Sequence, residues 1–135
     1  MLRKYPPFEC VHGTQDRAAA LLKAAVMNLK KTLGGATADS PGIVAFAREQ
    51  SNQAFIRSEI EIIEPDVIIC CGPSVYESVG KILKSTEALF SPNRLRYFKW
   101  ASCIVVDYYH PAYRVSDAML YSYLIGELRE LLPSL

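Results

Sequence analysis

No stretch of this 135-residue chain approaches the ~20 consecutive apolar residues that cross a bilayer. The opening Met1-Leu2-Arg3-Lys4-Tyr5-Pro6-Pro7 has basic residues but not the apolar core of a signal peptide. A soluble, cytoplasmic protein is therefore expected, with no membrane partner. Charge of one sign is also missing. Fifteen Lys and Arg oppose fourteen Asp and Glu, a net charge of +1, so a nucleic-acid site has to be a local patch. The four cysteines (Cys10, Cys70, Cys71, Cys103) form no Cys-x-x-Cys pair, and the two histidines lack zinc-ligand spacing, which argues against a structural metal. Adjacent strand residues point to opposite faces, so Cys70 and Cys71 are poorly placed to share a ligand. All four read as reduced packing residues, in keeping with an intracellular protein. Neither Gly-x-Gly-x-x-Gly nor Gly-x(4)-Gly-Lys occurs, which counts against the common phosphate loops. No cofactor and no metal are expected.

What the sequence does have is a hydrophobic half and two apolar runs that each end on a loop signature. Pro65-Asp66-Val67-Ile68-Ile69-Cys70-Cys71 breaks into Gly72-Pro73-Ser74. Cys103-Ile104-Val105-Val106-Asp107-Tyr108-Tyr109 breaks into His110-Pro111-Ala112-Tyr113-Arg114. Short, continuously apolar runs bounded by turn residues are how strands buried on both faces of a parallel sheet read. Such sheets carry their chemistry in the loops at the strands' carboxyl ends, which predicts a cleft between Gly72 and His110.

The length fits one domain over 1–135. Residues 1–13 are Pro-rich, with 8–11 as a short strand, and Thr14 caps a brief helix over 14–23. Ala24-Ala25-Val26-Met27-Asn28-Leu29 reads as a further buried strand, leaving through Lys30-Lys31-Thr32 toward Gly34-Gly35. Ser40-Pro41 starts a helix expected to run unbroken to Glu64, where Pro65 ends it. Ser74-x-x-Glu77 forms a capping box that opens a helix to about Lys84. Residues 85–96 read as loop, and 97–100 as a short edge strand. Ser116 or Asp117 caps the last helix, which stops at Pro133. This alternation specifies an α/β protein: a small parallel sheet sandwiched by helices in three α/β/α layers.

All three expected strands emit polar segments at one sheet edge: Asn28 with Lys30 and Lys31, Gly72 with Ser74, and His110 with Tyr113 and Arg114. Pro65-Asp66-Val67-Ile68-Ile69-Cys70-Cys71-Gly72 resembles the "P-x-v-i-x-x-x-G" strand of the uracil-DNA glycosylase superfamily. His110-Pro111-Ala112-Tyr113 resembles that family's terminal His-Pro motif, and Val26-Met27-Asn28-Leu29-Lys30-Lys31 is similar to its preceding strand that ends in Asn. The resemblance covers roughly 24–132. It implies hydrolysis of the N-glycosidic bond of a uracil or related base flipped out of DNA. On that implication His110 stabilises the departing base anion at O2. Asn28 reads the base through its carboxamide, beside Gly72 and Tyr109. Lys30, Lys31, Ser74 and Arg114 meet phosphates, and Tyr108, Tyr109 and Tyr113 offer stacking faces.

Each residue also has an ordinary role: His110 packing a loop, Asn28 shaping a turn, Ser74 capping a helix, the lysines solvated, the tyrosines in the core. Residues 1–23 contain no match to the family's first, water-positioning motif. His12 or Asp16 is the nearest substitute, and the cysteines do not match the iron–sulfur set of some members. A catalytically inactive nucleic-acid or nucleotide-binding module of the same fold is therefore the alternative. Without that first strand, self-association or completion by a second chain is also expected.

Overall fold

A computed structural model describes residues 18–19, 22–32, 40–85, 87–110 and 113–132. Its elements are α1 (Ser40–Arg48), α2 (Gln50–Ile63), β1 (Val67–Cys71), α3 (Pro73–Ile82), β2 (Leu89–Phe90), β3 (Arg96–Trp100), β4 (Cys103–Tyr108) and α4 (Asp117–Leu131). The four-stranded sheet has the order β1-β4-β3-β2. β1 runs parallel to β4, with Val67 opposite Ile104 and Cys71 opposite Tyr108. β3 is antiparallel to both β4 and β2. The protein is thus α/β, but its sheet is mixed, which corrects the expectation of an all-parallel sheet.

The physical reason lies in the connection between β3 and β4. Trp100 pairs directly with Cys103, leaving only Ala101-Ser102 to reverse the chain, whereas a parallel crossover needs a dozen or more residues. Ala101 takes a left-handed φ of 49° without the glycine that usually signals such a turn. β3 is therefore not the edge strand expected over 97–100, because β2 pairs outside it within the segment read as loop.

Two further expectations fail. The segment 24–29 forms no strand: its backbone joins no ladder, and Val26 is 88% exposed. Its alanines and valine are apolar enough for a strand, but only Leu29 is buried, packing with Ile56 and Ile60. The expected helix over 40–64 is broken at Glu49, whose ψ of 130° is extended. The break is satisfied locally, since the Asn52 side-chain amide donates to the Phe46 carbonyl at 3.0 Å and that of Gln53 to the Ala47 carbonyl at 2.8 Å. These carbonyls are the acceptors a helix end leaves unpaired. α2 then ends at Glu64 in the left-handed region, just before Pro65. Of the helix expected over 14–23, Ala18 and Ala19 are helical and Leu22-Lys23 form a turn. The strand expected over 8–11, with Cys10, His12, Asp16 and Pro133, lies outside the described residues.

The sheet is covered on both faces. Cys70, Phe98, Cys103 and Val105 pack against α1, α2 and α3 through Ala47, Ile56, Ile60, Val79 and Ile82. Ile104, Val106 and Tyr108 pack against α4 through Leu120, Leu124 and Leu128. Fully burying side chains such as Phe98, Val105 and Val106 contributes about 1.5–3 kcal/mol each. α4 is also pinned through Glu127, which is 1% exposed and accepts hydrogen bonds from the Ser91 hydroxyl and the Asn93 amide. Cys70, Cys71 and Cys103 are free thiols, and Cys70 and Cys103 are buried, in line with a packing role. Among the described residues no helix is long and apolar enough to cross a membrane, and no side-chain cluster suits a metal ion.

Candidate functional site

The parallel pairing of β1 and β4 brings the Gly72 turn beside the exit of β4. The Gly72 amide donates to the Tyr108 carbonyl at 2.7 Å and to the Cys70 carbonyl at 3.0 Å. Its φ of +111° excludes other residues on conformational grounds, although an added Cβ would meet nothing within 4 Å. Pro73 occupies the first helical position with its φ preset. Gly72 is thus the N-cap of α3. Ser74, read as the capping residue, is the second residue of the helix, so the cap lies two residues earlier than the capping-box reading placed it.

From the other strand, His110 opens a turn closed by the Tyr113 amide on the His110 carbonyl at 2.8 Å. Tyr109 and Tyr113 are 46% and 55% exposed, and their rings stack at 5.0 Å with 30° between planes. Tyr108 belongs to the core: its hydroxyl donates to the Leu120 carbonyl and its ring stacks on Tyr123. Burial pushes the Tyr108 hydroxyl up to about 12 and raises Tyr123 as well. The three tyrosines therefore divide, with Tyr108 as anchor and Tyr109 edge-on to it at 5.5 Å, carrying the exposed stack outward. His110 and Arg114 are exposed beside that stack.

Asn28 is elsewhere. With Lys30, Lys31, Glu59, Ile62 and Ile63 it lines an open cleft of about 560 Å³. Ile62 and Ile63 end α2 just before the amino end of β1, whereas Gly72 follows the carboxyl end. Five strand residues lie between those ends, about 16 Å of extended chain. Lys31 meets the Glu59 carboxylate at 2.9 Å, which places its ammonium in that cleft. The structure brings Gly72, Ser74, Tyr109, His110 and Arg114 to one rim but does not bring Asn28, Lys30 and Lys31 to it. The expected common edge required 24–29 to be a third strand, and it is not.

A further cluster at the carboxyl end of β1 was missed from sequence. Arg96 donates through Nε and Nη2 to one Asp107 oxygen at 3.0 and 2.7 Å, and its Nη2 lies 3.8 Å from Glu77. Its guanidinium carbon stands 4.6 Å from the centroid of the Tyr76 ring. Tyr76 is 5% exposed, its hydroxyl meets no hydrogen-bond partner among the described residues, and burial pushes that hydroxyl up to about 12. Asp107, the one charge inside an otherwise apolar run, was the available signal, because a charge in a buried strand needs a partner. Comparison of the chain with protein-family models, with curated proteins and with solved structures returns no match.

Proposed function

We propose that this protein is a nucleic-acid-binding α/β module whose β1/β4 rim is similar to the base-binding side of a uracil-DNA-glycosylase-like fold. In this reading it engages an unstacked uracil or related base in DNA, single-stranded or extruded from a duplex, without completing a glycosidase site. The observation that carries the proposal is the exposed Tyr109–Tyr113 stack flanked by His110 and Arg114, next to the start of α3 at Gly72 and Ser74. Exposed aromatic faces receive bases of any identity, and a neighbouring cation and helix start suit the phosphates. Asn28, the carboxamide that the resemblance assigns to base reading, lines a different cleft, so base contact rests on the tyrosine stack, and the missing match to the family's water-positioning motif in residues 1–23 favours binding over cleavage.

A second reading keeps the enzyme, and what supports it is His110 in the loop that follows β4. Water would then add at C1′ of the sugar while the C–N bond breaks, the base would leave as an anion held at O2 by His110, and the proton lost by the water would end on that base. Fluorescence anisotropy with uracil-containing single-stranded and duplex oligonucleotides, paired with an abasic-site cleavage assay, separates the two. The expected result is salt-sensitive binding with no abasic sites, and a loss of about tenfold or more in Tyr109→Ala. Uracil release abolished by His110→Ala would establish the enzyme, and absence of DNA binding would reject both readings.

A further inference from the structure

β1 is an edge strand that lacks the usual protections of an edge. It has no charged residue, no proline and no bulge between Val67 and Cys71, and among the described residues nothing pairs with its outer side. The Ile104 amide bonds the Asp66 carbonyl at 3.1 Å, and the Gly72 amide bonds the Tyr108 carbonyl at 2.7 Å. Positions 66, 68, 70 and 72 therefore face β4. Alternation along the strand turns the amides and carbonyls of Val67, Ile69 and Cys71 outward.

We infer that this edge pairs with the same edge of a second copy, antiparallel about a two-fold axis through Ile69. The edge is self-complementary in this register, which is what fits it to a second copy. An axis at Ile69 sets Ile69 opposite Ile69 of the other copy and Val67 opposite its Cys71, so every outward group meets another outward group. An axis between residues would set outward groups against inward ones. The flanks agree as well: Asp66 falls opposite Gly72, so no like charges meet, and Pro65 falls opposite Pro73, closing the ladder at both ends where neither residue has an N–H to offer. Ile69, 44% exposed and the one exposed residue of the strand, is the residue its own copy covers. The result is an isologous interface that joins two four-stranded sheets into one. It uses a single strand from each chain, so association depends on concentration.

Sedimentation velocity of the full chain across a dilution series, with hydrogen exchange of the β1 amides at each concentration, tests this. The expected outcome is an apparent mass that doubles from 15.1 kDa as concentration rises, with protection at Val67, Ile69 and Cys71 rising in parallel. Ile69→Lys should hold the mass at one chain, since a lysine on an edge blocks pairing. A wild type that stays monomeric overturns the inference. So does concentration-independent protection of those amides, which would put another segment of the same chain on the edge. So does a dimer that persists in a folded Ile69→Lys. None of these readouts involves DNA, so the dimer and the nucleic-acid module stand or fall separately.

Discussion

β1 and β4 look alike in sequence, each a run of five or six mostly apolar residues, yet the fold uses them differently. β4 is flanked by β1 and β3 and is buried along almost its whole length, with Val105 and Val106 at 0% exposure. Among the described residues β1 has a neighbour on one side only and leaves Ile69 exposed. An apolar run thus reports that a strand will form, while its place in the sheet depends on which segments elsewhere supply neighbours. The largest expected contrast follows directly. Val106→Asp should cost about 4 kcal/mol or more, because it buries an unpaired charge. Ile69→Lys, measured by urea denaturation at a dilution where the chain is monomeric, should cost less than about 1 kcal/mol. Comparable losses in the two would mean that the outer side of β1 is covered.

The charge inside β4 gives the next contrast. Asp107 is tolerable there because Arg96 lies opposite it across the β3–β4 ladder. The side chains are 29% and 18% exposed, so solvent screens part of the attraction and the pair contributes at the low end for a buried pair. Arg96→Ala should destabilise by about 1–3 kcal/mol, largely by leaving the carboxylate unpaired. Adding Asp107→Asn to it should recover part of the loss, a coupling that a double-mutant cycle in urea would measure. Strict additivity would mean that the two side chains act independently.

How far the fold could be read beforehand follows the same division. β1, β4, α3 and α4 were legible because each has a local signal: an apolar run, a Gly-Pro turn, or Ser116, which accepts the Met119 amide at 3.3 Å. The reversal at Ala101-Ser102 and the break at Glu49 were not legible. In the first, an alanine occupies a left-handed position; in the second, the break is held by the Asn52 and Gln53 side chains acting backward on the previous helix. The segment 24–29 misled because apolar composition alone cannot show whether a ladder partner exists. Three of the eight site residues, Asn28, Lys30 and Lys31, shared that error. Gly72 and His110 are tied to real adjacent strands, but Asn28 was assigned through a strand that does not form.

A last contrast separates the two faces of β1, and it changes with pH only in alkali. Cys70 points into the core, where burial first and the charge of Asp107 second push its thiol from an ordinary value of 9.0 up to about 12, while Cys71, half-buried, is raised by burial alone. Below about pH 9 the thiol is protonated in both the folded and unfolded chain, so its contribution is fully present. Between about 9 and 12 the unfolded thiol ionises and the folded one does not. Unfolding then releases a proton, and stability falls with rising pH by about 1.4 kcal/mol per unit for that site. Cys103, raised to about 11 by burial, and Tyr76 and Tyr108, each raised to about 12, act in the same direction. Cys70→Ala should start less stable than wild type at pH 8, because it leaves a small cavity, and then gain on it by roughly 1 to 3 kcal/mol by pH 11. Cys71→Ala should close less of its gap over the same range. Urea midpoints at intervals of half a pH unit would check both. A gap for Cys70→Ala that stays constant with pH would place its sulfur in contact with solvent and remove the distinction between the inner and outer faces of this strand.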